Sequence, residues 1–238
     1  MTVAGMHNEF KIGLDKVDSL SYPNLLTEEI DIFLNVAQEK FIKQRAYGNN
    51  IRRQGLEETQ KRLDDLKNIT SNYETSIFIT NTSNKPNGAF VNLPANYKFA
   101  IEEEAIIEYI DCNNATVTGR KDVVPTTHDR YNKTKKDPFN KPDNEEVLRL
   151  GFERVQGVES FELITGDGNS IITYFLRYIR EWNEIQYGTQ YDVPTVDIDS
   201  ELSSHTHREI IAIAIKDALQ DIESPRYPTS KNELNNIE

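Results

Sequence analysis

From Thr27 onward the chain places Ile30, Phe33, Leu34, Ala37 and Phe41 three or four residues apart, the spacing of one face of a helix. Thr27 is a suitable N-cap, Glu28 and Glu29 complement the helix dipole in the first turn, and Gly48 is placed to close the run in a left-handed conformation. Phe33 and Phe41 are therefore expected on the buried side. A second helical stretch from about Ile51 to Ile69 carries a thin stripe of Leu56, Thr59, Leu63 and Leu66, with Glu57 to Lys61 and Glu58 to Arg62 as i,i+4 pairs. The two stretches predict an antiparallel helical hairpin.

After Glu74 the pattern shortens to β-rich pieces at Ser76 to Thr80, Ala89 to Leu93, Glu104 to Asp111, Val158 to Ile164 and Ile171 to Arg180. Gly166-Asp167-Gly168-Asn169 tolerates positive φ and predicts that the last two strands pair as a hairpin. Residues 112–145, rich in Asn, Lys, Thr and Pro, show no periodicity and read as a long extended arm or loop. A last helix is predicted from Ser204 or Thr206 to Glu223. Thr206 and Glu209 stand at capping-box spacing, and Ile210, Ile211, Ala214, Ile215, Ala218, Leu219 and Ile222 form a broad apolar face. Pro225 and Pro228 end it, and the polar tail that follows needs a partner surface to stay ordered.

These elements predict an α+β fold. An N-terminal helical region (1–73) precedes a central antiparallel sheet region (74–203) with its arm at 112–145, and in the last region (204–238) a C-terminal amphipathic helix covers one sheet face ahead of the tail.

Charge narrows the function. The 27 Lys and Arg stand against 39 Asp and Glu, a formal net charge of -12, so general affinity for nucleic-acid phosphate works against long-range repulsion. The single cysteine, Cys112, cannot form an intramolecular disulfide and reads as an inert strand thiol in a reducing compartment. The longest aliphatic run, Ile210 to Ile215, is too short to span a bilayer, and no export signal is expected.

Candidate chemistry is sparse. His205 and His207 could be joined by Glu209 or Asp199 in a metal site, but residues two apart on a helix point to different sides. Glu102, Glu103 and Glu104, or Asp197 and Asp199, could serve as paired carboxylates, yet neighbours along a strand alternate faces. No nucleophile with a base and no glycine-rich phosphate cradle stands out, so neither an enzyme nor a cofactor or metal site is expected.

Arg120, Lys121, Arg130, Lys133, Lys135, Lys136 and Lys141 outnumber Asp122, Asp129 and Asp137, which makes this segment basic within an acidic chain. Three readings stay open: the segment touches DNA, it docks on the acidic surface of a neighbouring copy through Glu102, Glu103, Glu104 and Glu108, or it is a solvated loop. The net charge favours docking, because a head-to-tail ring needs two complementary patches per subunit.

Several blocks in order along the chain resemble a family of virion proteins of crAss-like phages. They are Glu9-Phe10; Leu26 to Ile30 with Phe33 to Glu39; Leu93-Pro94-Ala95-Asn96-Tyr97; Val124 to Tyr131; Asp137 to Pro142; Tyr174 to Arg180; and Arg208-Glu209-Ile210 with Ala214, Ala218 and Leu219. Asn96 stands where the family's Leu-Pro-x-Asp-aromatic step has an acid, and Glu181-Trp182-Asn183 stands where it tends to place prolines. The resemblance implies a structural head-tail connector or neck ring protein without catalytic residues. About twelve copies would surround the DNA channel beside portal, ring or tail proteins, after assembly in the cytoplasm of a bacterial host. DNA would pass through without specific binding, and no membrane would be involved. The alternative is a DNA-end or cargo-binding virion protein that uses residues 120–141.

Overall fold

The computed structural model describes residues 1–15, 25–46, 60–79, 83, 85–137, 142, 145–155, 157–190, 193–194 and 196–222. Along the chain run α1 (Val3–Asp15), α2 (Thr27–Ala46), α3 (Gln60–Leu66), β1 (Thr70–Thr75), β2 (Gly88–Asn92), β3 (Tyr97–Ile110), β4 (Thr116–Thr126), α4 (His128–Thr134), β5 (Glu146–Val155), β6 (Val158–Ile164), β7 (Ser170–Arg180), β8 (Thr189–Gln190), β9 (Val193–Pro194) and α5 (His207–Asp221). The fold is α+β. Residues 1–69 with 182–238 form a helical unit, and residues 70–181 form a β unit inserted into it in chain order. No helix among the described residues is long and apolar enough to cross a membrane.

In the helical unit, α2 buries Ile30, Leu34, Ala37, Phe41 and Ile42. Phe33 is only half-buried and stacks on Phe10 with ring centroids 6.2 Å apart. Phe10 belongs to α1, a helix the sequence reading passed over; Val3, Met6, Phe10 and Leu14 form its buried stripe. The apolar face of α5 packs against α1 and α2, which corrects the expectation that this helix covers the sheet. The approach is close enough that a Cβ on Gly13 would lie 2.3 Å from Ile215 Cδ1, so glycine suits that position. The predicted capping box at the start of α5 does not form. The Thr206 hydroxyl donates to the Ser203 carbonyl at 2.8 Å, and Glu209 turns instead to Arg45 and Lys61.

Polar side chains hold these helices in register. Arg45 of α2 reaches Asp65 of α3 and Glu209 of α5, while the second Asp65 oxygen lies 2.8 Å from Nε2 of His205. Near the other end, buried His7 and Asp31 meet at 2.7 Å, and Asp31 also accepts from the Tyr187 backbone. Gly48, Leu56, Thr59, Glu57, Glu58, Pro225, Pro228 and the C-terminal tail lie outside the described residues.

The β unit is one seven-stranded sheet in the order β1-β7-β3-β4-β5-β6-β2, antiparallel except for the parallel pair β4 and β5. Its two edges are brought together by Ile79, just beyond β1, which exchanges both backbone hydrogen bonds with Phe90 of β2. Curling encloses a core of Val91, Leu93, Ala105, Ile107, Val123, Val147, Phe161, Leu163, Tyr174, Leu176 and Tyr178. Pro125 is tolerated within β4 because the pairing with β3 ends at Asp122, leaving β5 alone as partner at that point.

Three local expectations change. The second helical stretch ends at Ile69 as expected, in a 3-10 turn over Lys67–Ile69. Thr70 to Thr75, of which 70–73 fall in the expected helical region, form a strand instead, and of Ser76 to Thr80 only the bridge at Ile79 pairs, with Thr80 outside the described residues. The Gly166 to Asn169 turn exists, with Gly168 at φ 82°, but β6 pairs with β5 and β2 while β7 pairs with β3 and β1. A turn sets a local reversal and not the partners. Here the turn is tied by the Asn87 amide, which donates to the Gly166 carbonyl and to Asp167. Finally, within 112–145 residues 116–126 form β4 and 128–134 form α4, so much of the supposed arm is a strand and its crossover.

Candidate assembly surface

Strand alternation sorts the Glu run on β3. Glu102, Glu104 and Glu108 face outward, while Glu103 points into the core with Ala105 and Ile107. Glu103 is 6 % exposed, lies 3.2 Å from Nε of Arg149, and accepts the Tyr174 hydroxyl at 2.7 Å. Burial raises the pKa of its carboxyl, against the opposing pull of Arg149 and of the Tyr174 hydrogen bond. The Arg149 guanidinium in turn lies over the Phe161 ring, 4.3 Å from its centroid. Glu103 is thus engaged within its own subunit.

On the outer face, cross-strand register builds two rows. Asn72 of β1, Arg177 of β7 and Glu102 of β3 stand side by side, and the next row holds Glu74, Phe175, Glu104 and Asp122 of β4. All of these but Asp122 line a cleft of about 650 Å³, together with Tyr73, Arg120 and Leu176. Arg120 lies across it, paired with Glu104 and stacked 4.5 Å from the Phe175 centroid. Lys121 faces the other way, 5.6 Å from the Tyr109 ring centroid. These two cations of the basic segment are therefore settled against their own sheet.

The remaining cations lie on α4 and its end. Thr127 caps the helix by accepting from the Arg130 backbone, and buried Tyr131 anchors it, with Lys135 5.6 Å from its ring centroid. Arg130, Lys133, Lys135 and Lys136 are exposed and make no ion pair among the described residues. Lys141 lies outside the described residues.

The other candidates are structural. His205 meets Asp65, and His207 donates from Nε2 to the Leu202 carbonyl at 3.0 Å, so the two rings have separate partners. Asp199 accepts from the Val3 backbone at the start of α1, and Asp197 accepts from Gly188. Cys112 is exposed in the β3–β4 turn, not in a strand. Among the described residues no group of three or more His, Cys, Asp or Glu is placed to hold a metal ion.

The profile of the phage tail ring protein 3/4 family matches residues 1–227, both units included. The chain belongs to this family. Among the relatives of this ring protein family member are two proteins of Bacteroides phage crAss001. "Ring protein 4/5" is 28% identical over 233 residues, covering 91% of each chain. "Ring protein 3" is 27% identical over 207 residues, covering 83% of this chain and 86% of the relative. The crAss-like phage resemblance carried by the sequence blocks is thus shown, and the chain is a structural protein of a phage ring family. At the Leu93 to Tyr97 step, Asn96 accepts the Tyr178 hydroxyl at 2.9 Å.

The sequence reading missed Glu74, Phe175 and Arg177, which join the site only through strand register. Alternation of Glu74 with Asn72, and of Phe175 with Arg177, was the available signal, but it needed the β1–β7–β3 order to become a surface.

Proposed function

We propose that this chain is a structural subunit of the phage neck that closes with copies of itself into a ring around the DNA channel, joining head to tail in the virion. The observation that carries this reading is the similarity to two different ring proteins of one phage over 91% and 83% of the chain, which covers both units rather than a single motif. Physical features agree. A net charge of -12 keeps the subunit from gripping phosphate, which lets a genome slide past. Basic α4 and the acidic outer face of β3 lie on different elements of one unit, as a heterologous ring contact requires. Arg120 and Lys121 serve the sheet itself, so Arg130, Lys133, Lys135 and Lys136 carry the contact, with Glu102, Glu104 and Glu108 as its counterpart. Neighbouring partners are portal, ring or tail proteins, and no catalytic role, cofactor or membrane is part of the reading.

The test is to replace Lys133, Lys135 and Lys136 by Glu and to follow both assembly and duplex binding. Loss of large oligomers with no change in DNA retention supports the ring reading. Intact oligomers with weakened, less salt-sensitive duplex binding would replace it with the DNA-end-binding alternative.

A further inference from the structure

The cleft over Phe175 has the makings of a receiving seat for a cationic side chain, and its own residue shows how such a seat works. Arg120 stacks its guanidinium on the Phe175 ring while pairing with Glu104, a cation held by an aromatic face and a carboxylate together. The cleft extends beyond Arg120 to Glu74 and Glu102, both exposed and both without an ion pair among the described residues. Among its lining residues Glu74, Glu102 and Glu104 outnumber Arg120 and Arg177. It is therefore an acidic cleft with an aromatic residue in its lining, one part of which Arg120 covers.

We infer that this cleft receives basic α4 and the residues that follow it from a second copy of the chain, with Lys133 or Lys136 entering between Glu74 and Glu102 beside Phe175. This deepens the ring reading and rests on it. Charge complementarity supplies the choice of occupant: the same unit presents Arg130 and Lys133 on α4 and Lys135 and Lys136 just after it, four exposed cations that make no ion pair of their own among the described residues. Each subunit would give α4 to one neighbour and offer its cleft to the other, the head-to-tail pattern that closes a ring. Arg120 then positions the seat by holding Glu104 and covering one part of Phe175, leaving the rest for the incoming lysine.

Two charge-reversed chains test this. One carries Glu74→Lys and Glu102→Lys, the other Lys133→Glu and Lys136→Glu; all four positions are exposed, and circular dichroism checks that each chain folds. Neutral Gln substitutions at the same positions serve if a reversed chain does not fold, with partial loss of oligomers expected from each and no restoration on mixing. Neither reversed chain should form large oligomers alone, at least a tenfold loss by mass photometry, because like charges then meet at every contact. Mixed in equal amounts they should assemble, since reversed α4 now faces a reversed cleft and normal α4 a normal one in alternation. Assembly of either reversed chain by itself overturns the proposal, as does a mixture that stays small while the parent chain forms rings. Those outcomes leave the ring reading intact and mean that another protein, or nothing, fills the cleft. A parent chain that assembles under no condition overturns the ring reading and this seat with it.

Discussion

The Arg45 guanidinium donates from Nε to Oδ2 of Asp65 at 3.0 Å, with both side chains almost wholly withdrawn from solvent. Arg45 also reaches Glu209 at 2.5 Å and lies over the Phe41 ring, so one side chain joins α2, α3 and α5. A buried ion of this kind is costly to strand. Arg45→Met should destabilise the helical unit by about 3–5 kcal/mol, because Asp65 keeps a buried charge with only His205, among the described residues, paired to it. Adding Asp65→Leu should recover much of the loss. Urea unfolding of the three chains checks this, and a cost near zero for Arg45→Met would mean that water reaches the pair.

Phe41 and Phe33 share a helix but not an environment. Phe41→Ala empties a fully buried site and should cost about 3–5 kcal/mol, whereas Phe33→Ala trims a half-buried ring and should cost clearly less. Thermal or urea unfolding ranks them. Equal costs would place Phe33 in the core as firmly as Phe41.

His207 predicts a pH response. Burial holds its pKa below the ordinary 6.5, against the opposing pull of the Leu202 carbonyl. In the window from about that value downward, the unfolded chain takes up a proton that the folded chain refuses. Stability present above pH 6.5 is then lost as pH falls toward the depressed folded value. His207→Gln should flatten this slope relative to the parent. Urea midpoints measured between pH 5 and 8 for both chains decide it, and parallel curves would remove His207 as the cause.

Much of the helical unit was legible because its signals are local. The Ile30 to Phe41 stripe and the Ile210 to Leu219 face have the period of a helix wherever they pack. What α5 packs against was not legible, since an apolar face does not name its partner, and α1, interrupted by Gly5 and Gly13, was overlooked. In the β unit the strands around Val158 to Ile164 and Ile171 to Arg180 were evident, but the turn between them suggested a pairing that tertiary order overrode. β4 was hidden by its Lys, Gly and Pro residues, which disfavour a strand by local propensity and are tolerated here at exposed or half-buried positions and where only β5 pairs. The inward aim of Glu103 followed from alternation once β3 was fixed. The cleft did not, because Glu74, Phe175 and Glu104 lie far apart in sequence and meet only through the β1-β7-β3 order.

The most direct test of the central claim is a cryo-electron microscopy reconstruction of the neck of the phage particle that carries this chain. The account predicts the chain in a closed, cyclically repeated ring on the axis of the DNA channel, each subunit touching two neighbours. Density for the chain at a single off-axis position or bound to the end of the DNA, with no repeated contact between copies, would contradict it.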